Sequence, residues 1–487
     1  MTRLKAVVAI AVAGSIAACS PHKVTKNPAP PVELPVGYSK ASTGAPLPEK
    51  WWQDFGDANL NALVEEALKG SFQLKGAWAR LRQARALSKS VGAARLPTFT
   101  VGAGASYSGQ PTQFGSVQST SLDVSGGVSY ELDLWKRLDS NAKAASFTTL
   151  ARRDQVDAMA ISIASQIAET WFSLLFERAQ RKLLTAQVKT NKTFLELVEF
   201  RFKQGLVTAL DVFQQRQQLV ATEAQLVSVV AREAQAENAL AVLVGKPPRS
   251  LTLPGADALP KLPPLPNTGM PADLLVRRPD IRAQHRSLVA ADYNVAVAVA
   301  NRLPGLSLSG QGGWRRQAST LGGMSQVLTE PFYILGANIS AILFDWGRNK
   351  AEVERQKGIV EEALHGFGHA LLVAISEVEN ALVLERQQLK LIENLKLQVD
   401  LAEKTVTQSR SRYQAGLVDF LRVLTALQNK QRLEIQILAA ERQLLSHRVQ
   451  LCRALGGTWT TKLKAPKPTK LKAASSKQSK QSKRETK

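Results

Sequence analysis

Few residues in this chain are spaced to do chemistry. His365 and His369 stand four apart with Glu361 one turn earlier, so a helix would carry all three on one face. Metal ligation needs more than that. No HExxH pattern and no further ligand set accompanies them, and a solvated helix face explains the trio. No metal and no other cofactor is expected. Gly102-x-Gly104 lies in an alternating run without a helix start behind it, unlike a phosphate-cradling loop. No serine or cysteine has a local base partner, so the chain is not read as an enzyme. Cys452 stands where an internal repeat has Ala241 and reads as a small packed residue. The thiol with a chemical assignment is Cys19.

Arg3 and Lys5 precede an apolar run, Ala6 to Ala13, and then Gly14-Ser-Ile-Ala-Ala-Cys19. This is the layout of a secretory signal peptide, here residues 1–18. The apolar stretch is too short to span a bilayer, which takes about 20 residues. Ile16-Ala17-Ala18-Cys19 resembles the lipobox of bacterial lipoproteins. That resemblance implies acylation of Cys19, and Ser20 after it implies sorting to the outer membrane. Two or more acyl chains give stable anchoring. Cys452 is then the one remaining cysteine, so no intramolecular disulfide is expected in the mature chain. Residues 19–50 are rich in Pro, Lys and small residues and read as the lipidated cysteine and an extended linker.

The elements that must carry any function occur twice. Arg201-Phe-Lys-Gln-Gly-Leu-Val returns as Arg412-Tyr-Gln-Ala-Gly-Leu-Val, an offset of 416 − 205 = 211. Arg95-Leu96-Pro97 returns as Arg302-Leu303-Pro304, an offset of 302 − 95 = 207, and the difference is assigned to a longer loop in the second copy. Such a period is a domain duplication, not a solenoid. The first repeat is read as residues 51–245 and the second as 271–456. A Pro-rich connector, 246–270, joins them.

Each repeat opens with a helix that proline stops at the Arg-Leu-Pro corner. The period then changes to two. Phe99, Val101, Ala103, Ala105 and Tyr107 alternate with small or polar residues, as do Leu122, Val124, Gly126, Val128 and Tyr130. Strands are expected over about 98–109 and 121–133, then about 305–316 and 332–343. They have the length of tilted transmembrane strands. Four strands cannot close a barrel, and lipid tolerates no open sheet edge, so an obligate oligomer is predicted.

From Trp135 and Trp346 the period is helical again for about 65 residues, or on the order of 100 Å. Helical hairpins are expected over about 136–245 and 346–456. The outgoing seam is Leu184, Val188, Asn191, Leu195, Val198, Phe202, matched by Leu395, Val399, Ala402, Val406, Ser409, Tyr413. Gly205 and Gly416 break the helices. The return seam is read as Leu206, Leu210, Phe213, Gln217, Val220, Ala224, Val227, matched by Leu417, Leu421, Leu424, Gln428, Gln431, Ile435, Leu438. These spacings predict antiparallel coiled coils. The fold class is thus mixed and mainly α.

The net charge of +23 suggests a polyanionic partner, but the charge is uneven. From Lys462 onward there are ten Lys/Arg and one acid, and residues 457–487 are read as a basic disordered tail. No nucleic-acid partner is expected; the tail is read as touching anionic lipid or cell-wall polymer, or as simply keeping the chain soluble.

The order helix, β-hairpin, long helix, Gly turn, return helix, repeated once, resembles the TolC-type outer-membrane efflux channels. The NodT-like lipoprotein subset is the nearest match. The resemblance covers residues 47–460. It rests on Trp51-Trp52-x-x-Phe55-x-Asp57-x-x-Leu60, Arg277-Arg278-Pro279-Asp280-Ile281 and Arg412-Tyr413-x-x-Gly416-Leu417-Val418-Asp419. It implies a homotrimer in outer-membrane lipid, with a 12-stranded barrel and a helical tunnel extending into the periplasm. It also implies a periplasmic membrane-fusion adaptor and an inner-membrane pump, RND-type, as partners. Cargo would be small molecules. Ala58 and His285 depart from the family pattern.

Gly205, Leu206 and Val207, with Gly416, Leu417 and Val418, put apolar residues at turns and are the candidate adaptor-docking tip. Arg422 and Thr425 stand where some family members carry an acidic ring, so that ring is absent. Asp211, Tyr413, Asp419 and Arg422 are the periplasmic gate candidates. Two rival readings remain: the channel of a type I protein-secretion system, and a periplasmic coiled-coil scaffold lipoprotein.

Overall fold

The computed structural model describes residues 21–39, 44–253, 255–457 and 459–466, except 114 and 322–323. Cys19 and residues 467–487 lie outside them. A turn of 3-10 helix, Trp51–Phe55, leads into α1 (Ala58–Gly70) and α2 (Phe72–Ala93). Strands β1 (Thr98–Thr112) and β2 (Gly115–Leu132) follow, then α3 (Arg137–Lys203) and α4 (Ala209–Val244). The second repeat has a short α5 (Leu274–Arg277), α6 (Pro279–Ala300), β3 (Gly305–Leu321), β4 (Met324–Ser340), α7 (Arg348–Gln414) and α8 (Phe420–Leu455).

The duplication holds residue for residue in the hairpins. Both long helices have 67 residues and both return helices 36, at the 211 offset. The opening helix is broken in both copies, at Ser71 and at Arg278-Pro279, 207 apart. Proline sits at the first position of α6, where its missing N–H costs nothing. The corner into each long helix is a left-handed residue, Lys136 with φ 59° and Gly347 with φ 85°.

The four strands form one antiparallel sheet in the order β1-β2-β3-β4. The strands exceed the expected lengths. The β1–β2 ladder has 15 paired positions and β3–β4 has 17, with only two residues between partners at each tip. The extra residues of the second copy therefore lengthen strands, not a loop.

Three segments read as linkers or tail are packed. Residues 21–39 run along α6 and α7. His22 Nε2 and the Thr25 N–H meet Asp292 at 2.5 and 2.7 Å, and Ser39 bonds Glu379. The connector is clamped twice by buried arginines. Arg178 donates to Ala256 O at 3.2 Å, and Arg448, also paired with Glu385, donates to Pro264 O at 2.8 Å. Beyond 457 the chain folds back as a 3-10 turn, Trp459–Lys462. There Trp459 is buried edge-on against Trp52, with ring centroids 4.9 Å apart.

The outgoing seams pack largely as expected, except that Phe202 is exposed. The return seam of the first copy requires correction. Leu206, Leu210, Phe213, Val220 and Val227 are all exposed. The packed face of α4 is Val212, Gln215, Leu219, Thr222 and Val229. Two of those five are polar, so apolar spacing alone selects the other stripe. The second copy is mixed, with Leu424 and Gln431 buried but Leu417 and Leu421 exposed.

Candidate functional site

The sheet comes first, because its faces decide where it can live. Register lines up one face across all four strands: Phe99, Val128, Gly310, Leu335 in one row and Ala103, Val124, Trp314, Pro331 in another. Alternation places polar residues on the opposite face, including the row Asp123, Arg315, Glu330. Large apolar residues on the first face stand open, Val101 at 88% and Leu335 at 81% exposure. A water-soluble sheet would cover such a face; a lipid-facing one needs no cover. Below it Leu343, Phe344 and Trp346 are exposed, at the level where aromatic residues mark a membrane interface. Among the described residues the outer edges of β1 and β4 pair with nothing.

The far end of the hairpins holds the tip and gate candidates. Gly205 and Gly416 take φ of 71° and 74°, the left-handed region that glycine adopts freely. The following N–H groups, of Leu206 and Leu417, close back on Arg201 O and Arg412 O at 3.0 and 2.9 Å. The two leucines are 64% and 74% exposed, whereas Val207 and Val418 tuck partly under the tip cluster of Phe194, Val198, Phe420 and Val423.

The gate candidates separate by role. Asp211 closes a capping box with Thr208 at the start of α4, accepting from its N–H at 2.9 Å and its hydroxyl at 2.8 Å. Asp419 caps α8, accepting the backbone N–H of Arg422 at 3.2 Å. It is thus the amide of Arg422, not its guanidinium, that reaches Asp419. Tyr413 is buried at 3% exposure. Burial raises its phenol pKa, aided by the charge of Asp211.

Arg201 opens the repeated motif but is not among the gate candidates read from sequence. Its guanidinium stacks on the Tyr413 ring, 4.3 Å to the centroid, and donates to Tyr413 O at 3.2 Å. Arg201 and Arg412 are equivalent at the 211 offset, but nothing in the repeat pattern marks the bond that Arg201 makes to the other repeat's hairpin.

A second missed feature lies higher in the wall. Asn191, Gln215, Thr222 and Gln431 are buried and linked. Asn191 donates to Thr222 at 2.9 Å and accepts from Gln431 at 3.0 Å, which ties α3 to α8 across the repeats. Gln218 extends the chain to Gln431 and Gln428. Buried amides of this kind fix register in coiled coils. The matched pair read from sequence was Gln217 and Gln428, but Gln218 is the residue that bonds.

The motif residues are structural. Asp57 caps α1 and accepts the indole N–H of Trp171 at 2.6 Å, while Trp51, Trp52 and Phe55 fill the core. Arg278 is held by Asp280, Glu377 and Ala454 O. His285 packs edge-on to Phe367. Glu361 and His365 are exposed, with 3.8 Å between their nearest side-chain atoms. Cys452 is buried, and burial pushes its thiol up to about 12.

Comparison with known proteins agrees with this geometry. The family model described as outer membrane efflux protein matches residues 63–246 and 270–457, one match per repeat. A pyoverdine export outer membrane protein of Pseudomonas putida, OpmQ, is 31% identical over 467 residues, covering 91% of this chain and 96% of that one. A toluene efflux pump outer membrane protein of the same species, TtgF, is 28% identical over 92% of this chain and 96% of its own. The solved outer-membrane channel OprN superposes with a TM-score of 0.83 at 28% identity, covering 91% of this chain and all of that one. With both repeats matched and the lipid-facing sheet mounted on the long hairpins, the chain belongs to the outer membrane efflux protein family and is an outer-membrane efflux channel.

Proposed function

We propose that three copies contribute 3 × 4 = 12 strands to one barrel and that their hairpins form a single periplasmic duct for small molecules. The observation that carries this is the sheet itself, whose apolar face runs in register across four strands while both edges are open. In lipid those edge groups must find partners in neighbouring copies. The exposed stripe of α4, from Leu210 through Val227, gives the hairpins a second packing face for the same neighbours. The duct does no chemistry, so the driving energy comes from an inner-membrane pump reached through a periplasmic adaptor. We read the pump as RND-type from the lipoprotein-subset motifs. The cargoes for which the two relatives are named, pyoverdine and toluene, support small-molecule export.

The exposed leucines at 206 and 417 form the adaptor-docking tip with their glycines and valines. The mouth is held shut by the capped starts of the return helices, at Asp211 and Asp419, and by Tyr413 and Arg422. Cys19 carries the lipid anchor. Three residues on, His22 is fixed to Asp292, eight residues from the end of α6 and so about 12 Å along the helix from the strand corner. Acyl chains on Cys19 are within reach of the bilayer at that height.

Native mass spectrometry of the detergent-solubilised protein tests the assembly. Three protomers per particle are expected. A monomer, or a particle whose count of strands cannot close, overturns the reading.

A further inference from the structure

We infer that the cleft between the start of α2 and the refolded C-terminal segment binds an anionic amphiphile, a small molecule with an apolar body and one carboxylate or phosphate head. The cleft has a volume of about 540 Å³, within the ~300–1,000 Å³ typical of small-molecule sites. It is preformed. Arg153 of α3 stacks on Trp78 at 4.8 Å and donates to Thr460 O at 3.0 Å and Thr461 O at 3.2 Å, which fixes the C-terminal wall.

Its chemistry is divided. Leu68, Leu74 and Leu463 supply an apolar floor. Lysines crowd the rim. Two of them are already paired, Lys50 with Glu65 and Lys462 with Glu49, each at 2.8 Å. Lys69, Lys75 and Lys464 are surplus to the two acids that line the cleft, Lys75 lying over the Phe72 ring at 4.9 Å. Trp52 and Trp459 border the same space and add to its apolar wall. Surplus cations above an apolar floor together select an anionic head on an apolar body. A cation or a neutral hydrocarbon would leave the surplus lysines unanswered.

The test is photolabelling of the full-length protein, in nanodiscs of zwitterionic lipid, with diazirine-bearing dodecanoate. Labelled peptides should map to residues 68–78 and 459–466. Dodecyl phosphate should compete, while inorganic phosphate and dodecyltrimethylammonium should not. Lys69→Glu with Lys75→Glu should lower labelling at least about tenfold, and Leu463→Trp, which fills the cleft, should do the same. Oligomer size and melting should not change in either variant. Labelling confined to the barrel, equal competition by the cation, competition by inorganic phosphate, or full labelling of both variants would each overturn the site. Oligomer size is read in the same samples, so failure here is distinct from failure of the channel reading.

Discussion

Gly70 and Gly245 meet backbone to backbone. A Cβ on Gly70 would lie 2.2 Å from Val244 O, and one on Gly245 would lie 2.5 Å from Gly70 O. The break between α1 and α2 and the end of α4 are thereby locked together. The second repeat makes the same contact, where a Cβ on Gly456 would lie 2.7 Å from Arg277 O, and 277 − 70 gives the 207 offset of the opening helices. Gly70→Ala should destabilise the protein by roughly 1–3 kcal/mol, because backbone on one side must move. Gly245→Ala should cost at least as much, since its φ of 87° adds strain. Gly76→Ala, whose nearest neighbour is 3.9 Å away, should be neutral or stabilising. Tryptophan-monitored unfolding in denaturant checks all three, and equal behaviour of Gly70 and Gly76 contradicts the contact.

A buried ionic cluster joins the repeats near the barrel. Asp154 and Asp157 of α3 face Arg153, Arg282 and Arg286, and burial pushes Asp157 up to about 6. An acid whose folded pKa exceeds its unfolded value, about 3.9, costs stability as pH rises from about 4 through about 6. The cost at neutral pH is at most about 3 kcal/mol. Asp157→Asn should therefore flatten the fall in stability between pH 4.5 and 7. Parallel curves for wild type and variant would refute this.

Arg201 should hold the mouth more firmly than the phenol it covers. Tyr413 Oη has no hydrogen-bond partner among the described residues, so Tyr413→Phe should leave single-channel conductance in planar bilayers nearly unchanged. Arg201→Ala removes the stacked cation and the bond to Tyr413 O, contacts worth about 1–2 kcal/mol together. It should raise the open fraction about fivefold or more. The opposite order of effects would argue that the hydroxyl, not the guanidinium, closes the mouth.

Trp459 completes the core that Trp51 and Trp52 begin. Truncation after Pro466 should leave stability intact, while Trp459→Ala should cost about 3–5 kcal/mol. Melting of the two purified variants decides it.

Cys19→Ala should abolish incorporation of a clickable fatty acid while leaving the folded body unaltered. Persisting incorporation would move the acyl chain elsewhere.

The sequence disclosed the large repeats well, because helix breaks at Gly205 and Gly416 and the change of period at Pro97 and Pro304 are local signals. It disclosed contacts poorly where polar residues are buried. Gln215 and Thr222 look like surface on any apolar count, yet they face Asn191. The stripe from Leu206 to Val227 reads as the seam because it is more apolar than the buried stripe, although it is exposed. Segments rich in proline were read as slack chain, since composition does not show that Arg178 and Arg448 wait beneath them. The tip was legible from the glycines, and the Arg201–Tyr413 contact was not, because it joins side chains 212 residues apart.

The strap of residues 21–39 has a mechanical meaning. It is fastened at His22 to Asp292, at Pro31 against Gly368 and at Ser39 to Glu379, three points on two helices. A tug along the strap loads those fastenings in shear, so they resist together. A tug outward would peel them one by one.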